Sequence, residues 1–222
     1  GSAMDYSIAA RTGLLDCRAR AWSREIFSCA GLDAEKMPPL VQSGSPVGEL
    51  GPAVAARTGL PAGIGVYAGG YDHVCGAFAC GATREGVFLD SCGTSETILT
   101  AADDANVLRR AGAAGFNVGP HAKPDAYFAM AGMTASGLSV DWYRREFGDP
   151  GGAPRADIGS LCYLPHLRGS SSPTRDASSR GAFLGIRDTH ARPDFLQAVY
   201  EGLAMELRGC AEQLAGSIGR RA

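Results

Sequence analysis

A chain of 222 residues, 45% hydrophobic and 20% charged, is long enough to bury a substantial core as one large domain or two small ones. Its formal net charge of −2 and pI near 6.1 exclude the basic field that grips nucleic acid or an anionic membrane, so neither is expected as a partner. No apolar run approaches the ~20 residues that cross a bilayer, and seven scattered cysteines without a CxxC pair suit reduced thiols; a cytoplasmic protein with no structural zinc is expected.

Residues 1–4 read as a vector-derived scar outside the fold. From Asp5 to Leu60 no single period dominates, and the pattern gives a short strand closing at Leu14 and Leu15, then a helix over residues 20–30 carrying Trp22, Ile26, Phe27 and Ala30. Pro38, Pro39, Pro46 and Pro52 punctuate a connector, and Val54 to Thr58 form a helical turn stopped by Gly59. Gly65-Val66-Tyr67-Ala68 reads as a buried strand that ends at Gly69-Gly70. Val74, Ala77, Phe78 and Gly81 then keep a helical stripe, and residues 87–90 and 97–101 form a β-hairpin around Gly93-Thr94-Ser95.

A further strand is expected over residues 127–131, followed by a helix with Thr134 at its N-cap and Leu138, Trp142 and Phe147 on one face. After Gly151-Gly152, residues 161–164 lead into an irregular Ser- and Pro-rich loop, 168–180, polar enough for a lid or an exposed linker. The clearest helix starts at Pro193 with Asp194 at its positive end. It repeats Leu196, Val199, Leu203, Leu207, Cys210 and Leu214 at steps of three or four, and stops at Gly216. Trp22 and Trp142 are expected to anchor cores, and a boundary between two subdomains is expected near Gly69.

Two stretches carry chemistry. Asp72 follows a glycine pair at the mouth of a helix, where the dipole and free N–H groups hold a carboxylate ionised. Such a group can accept a hydrogen bond from a substrate hydroxyl, or it can simply cap its helix. In Gly93-Thr94-Ser95, glycine allows close approach and the hydroxyls and N–H groups can donate to phosphate oxygens; the alternative is an ordinary hairpin turn. His166 and Arg168 could reach a phosphate from the loop, or pair only with neighbouring charges. Cys75, Cys80 and Cys92 flank these stretches and read as small packing residues.

The runs Gly69-Gly70-Tyr71-Asp72-His73-Val74-Cys75-Gly76-Ala77 and Asp90-Ser91-Cys92-Gly93-Thr94-Ser95-Glu96 resemble the FGGY carbohydrate kinases. So do Asp5-Tyr6-Ser7-Ile8-Ala9-Ala10-Arg11-Thr12, Ala131-Gly132-Met133, the stretches 163–169 and 180–186, and Ala198-Val199-Tyr200-Glu201-Gly202-Leu203-Ala204, all in the family's order. The resemblance implies an α/β, actin-like, ribonuclease-H-like ATPase fold, incomplete here. Residues 5–69 would be the C-terminal part of the family's N-terminal domain and residues 70–222 the N-terminal part of its C-terminal domain.

It further implies ATP-dependent phosphorylation of a sugar or polyol hydroxyl, with Mg2+ on the phosphates. By the same resemblance Asp72 is the catalytic base and a substrate contact, His73 borders the substrate, and Gly93, Thr94 and Ser95 lie at the phosphates; no metal ligand carries over. A carboxylate of low pKa suffices as such a base, because a loose phosphoryl-transfer transition state needs little early deprotonation. Tyr71 and His73 point outside the glycerol-kinase branch, which usually has Gln after the aspartate.

The family's N-terminal Asp-x-Gly-Thr phosphate hairpin and its Gly-Gly-Gly-Ala adenosine turn have no counterpart in the chain. One wall of the cleft is then missing, so the chain alone is expected to lack kinase activity. It would associate with another copy or be completed by the missing parts of its parent. Two further readings are a non-catalytic assembly module that keeps the kinase fold, and one half of a split kinase.

Overall fold

Residues 2–153 and 157–219 are described in a computed structural model of the chain. They gather into two compact units: residues up to Val87 with Thr100–Arg109 and Val118–Ala129, and Phe88–Leu99 with Arg110–Asn117 and the residues from Met130 onward.

In the first unit β1 (Met4–Asp5) runs directly into α1 (Tyr6–Arg11). Asp5 makes that transition because its backbone is extended while its carboxylate accepts hydrogen bonds from the N–H groups of Ser7 and Ile8, at 2.8 and 3.1 Å. Met4, set aside in the sequence reading, thus belongs to the fold. β2 (Leu15–Asp16) and β3 (Ala21–Trp22) form an antiparallel pair, and α2 (Arg24–Ala30) follows. Ser23 accepts from Ile26 N–H to cap α2, and Gly31 ends it at φ 65°, a conformation that favours glycine.

The helix expected from residue 20 therefore starts four residues later, because Trp22 is taken by the hairpin. Its indole donates to the Pro38 carbonyl at 3.0 Å, and its ring meets the buried Phe27 edge-on. β4 (Leu40–Val41) pairs parallel with β1, which places Ser43 beside Asp5. β5 (Pro46–Glu49), α3 (Pro52–Thr58) and β6 (Gly65–Tyr67) follow, with β6 antiparallel to β5. β6 is exposed throughout, not buried as its apolar sequence suggested, because it belongs to a two-stranded hairpin and Tyr67 is 63% exposed. α4 (Asp72–Ala79) closes this stretch and buries Val74 and Ala77. It stays in the first unit, which the chain first leaves between Val87 and Phe88 and re-enters at Thr100 and Val118.

β7 (Phe88–Cys92), β8 (Glu96–Ala102), α5 (Asn106–Ala113), β9 (Asn117–Pro120) and β10 (Tyr127–Met133) come next in the chain; α5 and β9 were not expected. The sheet order is β7-β8-β10-β9. The inner strands β8 and β10 are buried almost throughout, which their runs of apolar and small residues allow.

In the second unit α6 (Gly137–Phe147) carries Tyr143 into the core, β11 (Cys162–Leu164) pairs antiparallel with β12 (Ala182–Leu184), and α7 (Arg192–Ser217) is a single helix of 26 residues. Tyr143, Leu161, Tyr163, Val199 and Leu203 form the core, with Trp142, Phe183 and Phe195 packed against it. α7 lies directly on β11: a Cβ at Gly202 would stand 2.2 Å from the Tyr163 carbonyl oxygen, so only glycine fits. At the start of α7 the Asp194 carboxylate accepts from the Ala191 N–H at 2.8 Å.

Candidate active site

Asp72 is the first residue of α4, exposed, with its Oδ1 accepting from the His73 N–H at 2.8 Å. It is not the N-cap: Tyr71 holds that position and makes no side-chain cap bond. What fixes the turn before it lies much earlier in the sequence. The Ser7 hydroxyl accepts from the Tyr71 N–H at 2.8 Å and donates to Asp5 Oδ1, while the Ser43 hydroxyl donates to Asp5 Oδ2 at 2.5 Å.

Asp5 is 6% exposed, so its charge is satisfied by this set of donors and not by water. Gly70 sits against the same group: a Cβ there would meet Cys75 Sγ and Ser7 Oγ at 3.0 Å and Ser43 Oγ at 3.1 Å. A buried carboxylate at the N-cap of α1 thereby anchors the glycine turn that presents Asp72. Arg11 lies 5.1 Å from the Tyr71 ring centroid, and the Tyr71 and His73 rings meet edge-on at 5.4 Å. The Cys75 thiol is pushed up by burial and by the charges of Asp5 and Asp72, so it stays protonated and unreactive.

Gly93, Thr94 and Ser95 form the exposed turn between β7 and β8, in the second unit, whereas Asp72 and His73 belong to the first. The turn is pinned from behind by α6, whose Gly137 and Leu138 N–H groups donate to the carbonyls of Gly93 and Thr94 at 3.0 and 3.1 Å. Those are amides at a helix N-terminus, which would otherwise seek an anion. A Cβ at Gly137 would lie 2.6 Å from the Gly93 oxygen, so the approach requires glycine. Gly93 N–H closes the turn onto the Ser95 carbonyl at 3.0 Å. A rigid, exposed turn with two hydroxyls can donate to an anion's oxygens.

Three residues that support this turn escaped the sequence reading: Glu96, Ser136 and Gly137. Glu96 is 7% exposed and accepts from the Ser136 hydroxyl at 2.5 Å. Burial pushes its carboxyl above the ordinary 4.5; the Ser136 bond opposes this and the nearby Asp90 adds to it. The neighbouring Cys92 thiol is raised chiefly by the charge of Glu96. Thr134, expected as the N-cap, instead donates to the Gly169 carbonyl, and α6 begins three residues later with Ser136 at its N-cap.

The other residues singled out in the sequence lie elsewhere. His166 pairs with Ser179 at 2.7 Å, Arg168 is exposed, and Glu201 accepts from Gln197 within α7. Cys80 and Cys92 are exposed, so neither is the packing residue expected.

The fold is of the actin-like, ribonuclease-H-like ATPase class, and solved structures share it. A ligand-bound xylulose kinase from Lactobacillus acidophilus superposes at a TM-score of 0.83 with 25% identity, over 96% of this chain and 44% of its own. A xyloylose kinase from Brucella ovis does so at 0.85 with 28% identity, over 99% and 46%. Residues 2–79 match the N-terminal domain and residues 89–221 the C-terminal domain of the FGGY family of carbohydrate kinases; the second match alone spans more than half of the chain, which belongs to this family. The xylulose kinase of Bacillus subtilis (strain 168) is 37% identical over 217 residues, 94% of this chain and 43% of its own length. The chain thus spans less than half the length of the relatives it matches.

Proposed function

We propose that the chain serves in an ATP-dependent kinase that phosphorylates a hydroxyl of a ketose or polyol, with Asp72 as the base, His73 beside the acceptor, and Gly93, Thr94 and Ser95 on the phosphate side. The relatives named above are xylulose kinases, which puts a ketopentose first among acceptors. The observation that carries the reading is the anchoring of the Asp72 turn by Asp5, Ser7 and Ser43: an exposed carboxylate is held in place by buried groups, the arrangement that positional catalysis needs.

Asp72 would accept a hydrogen bond from the attacking hydroxyl, orient its lone pair, and take the proton late in the transfer. The phosphate turn, with its carbonyls occupied by α6, would offer the Thr94 and Ser95 hydroxyls to the nucleotide's phosphates. Among the described residues no group of three or more His, Cys, Asp or Glu side chains gathers to hold a metal ion. The chain spans 43% of a homologous kinase, and we expect it to be inactive alone.

ADP release in the presence of D-xylulose tests both statements. In the full product of the encoding reading frame, Asp72→Asn is expected to lower kcat by about 10²–10⁴-fold and leave the KM for ATP nearly unchanged. An unchanged kcat would sink the base assignment. Turnover by the isolated 222-residue chain would sink its inactivity.

A further inference from the structure

Within the second unit, the loop after β11 and the middle of α7 line an open cavity of about 400 Å³ with no role in the site described above. Its polar wall includes His166, Ser170, Ser172 and Ser179, with the carboxylates of Asp176 and Glu206. One hydroxyl and one ring nitrogen of this wall are buried with no hydrogen bond among the described residues. Ser172 is 2% exposed and its Oγ makes no hydrogen bond to any described residue. His166 Nδ1 pairs with Ser179 Oγ at 2.7 Å, but its buried Nε2 stands 3.6 Å from Glu206 Oε1, too far to be satisfied. Each such orphan costs free energy that a bound donor-acceptor group would recover.

The chemistry of the wall selects the ligand. Among the described residues no lysine or arginine lines the cavity, and two carboxylates do, so an anion is disfavoured. The carboxylates and serine oxygens offer acceptors, while His166 and Ser172 offer donors; Cys210 lines the cavity as a buried residue and Met205 as an exposed one. A group that both donates and accepts, repeated along a carbon skeleton, matches this set.

We infer that this cavity is a binding site for a small neutral polyhydroxylated molecule, separate from the Asp72 and Gly93–Ser95 elements. Its hydroxyls donate to Glu206 and Asp176 and accept from Ser172 and His166. The inference stands apart from the kinase reading, since it uses none of that site's residues.

The test is a titration of the ¹⁵N-labelled chain with D-glucitol to about 50 mM, followed through backbone amide shifts, since one small polar site of this kind gives a dissociation constant on the order of 1–10 mM. Saturable shifts are expected at Ser170, Asp176 and Ser179. Ser172→Val and Glu206→Gln should each weaken binding about fivefold or more, and Asp72→Asn should leave it unchanged. Glu206 is only half-buried, so its variant serves if Ser172→Val does not fold. Absence of saturable shifts in the loop, wild-type affinity in the folded variants, or shifts produced by tetramethylammonium or inorganic phosphate in place of D-glucitol would each overturn the assignment. Loss of binding in Asp72→Asn would overturn its separateness while leaving the kinase reading intact.

Discussion

Ser7→Ala removes one hydroxyl and breaks two bonds, one donated to the buried Asp5 carboxylate and one accepted from the Tyr71 N–H. A hydrogen bond to a charged group contributes roughly 1.5–3 kcal/mol and a neutral one about 1 kcal/mol. Asp5 keeps the Ser7 and Ile8 amides and the Ser43 hydroxyl, so the first loss falls at the low end of its range. The expected total is about 2–3 kcal/mol, a sizeable fraction of the ~5–15 kcal/mol that holds a typical domain folded.

Because the chain forms two units, the measurement needs a local reporter. The chain has two tryptophans, Trp22 in the first unit and Trp142 in the second, and a Trp142→Phe background leaves Trp22 to report urea unfolding of the unit that contains Ser7. The midpoint should fall with the slope unchanged. A change below about 0.5 kcal/mol, the level of an ordinary surface substitution, would refute the view that Asp5 anchors the turn before Asp72.

Gly137→Ala would drive a methyl to 2.6 Å from the Gly93 oxygen; the turn must move, and on the proposed kinase function the KM for ATP of the full reading-frame product should rise while circular dichroism stays near wild type. His121 is 1% exposed, and burial together with Lys123 lowers its pKa from 6.5 to about 4. The unfolded chain then binds more protons between these values, so stability is lost as pH falls through the window. The difference amounts to about 3 kcal/mol at ~1.4 kcal/mol per pH unit. His121→Gln should flatten that slope in urea titrations at pH 4 to 6.5. Glu96 has the opposite sign: its carboxyl is raised above 4.5, so the native state keeps the proton longer and stability falls as pH climbs from 4.5 through the raised value. Glu96→Gln should abolish that decline, and persistence of the decline would place its origin elsewhere.

Much of the architecture was readable from periodicity. α7 follows from its apolar steps, and α4 from the small-residue stripe after Gly70. The failures were of a different kind. β6 looks like a core strand because alternation and apolar content say nothing about whether a partner covers it. Trp22 looks helical by spacing, yet the indole bond to Pro38 and the Leu15 pairing keep it in a strand. Asp72 and the Gly93 turn were visible as local motifs, but their supports were not: Ser7 and Tyr71 are 64 residues apart, and Glu96 and Ser136 are 40 apart. Contacts at such separations leave no periodic trace. Glu96 was especially hidden, since an acid after Gly-Thr-Ser reads as part of a polar loop until the strand places it inside.

The contact between Gly202 and the Tyr163 carbonyl makes α7 a lever with a fixed fulcrum. Sliding the helix by one turn, about 5.4 Å, would bring Ala198 or Glu206 against that oxygen, and neither side chain fits in the space a hydrogen occupies. Axial slip is thereby barred and only tilting about the fulcrum remains. From Gly202 to Ser217 the helix extends 15 residues, about 22 Å, so a tilt of about 5° at β11 swings its end by about 2 Å. Small adjustments of the β11–β12 hairpin are therefore magnified at the far end of α7, and they pass Glu206 and Cys210 on the way.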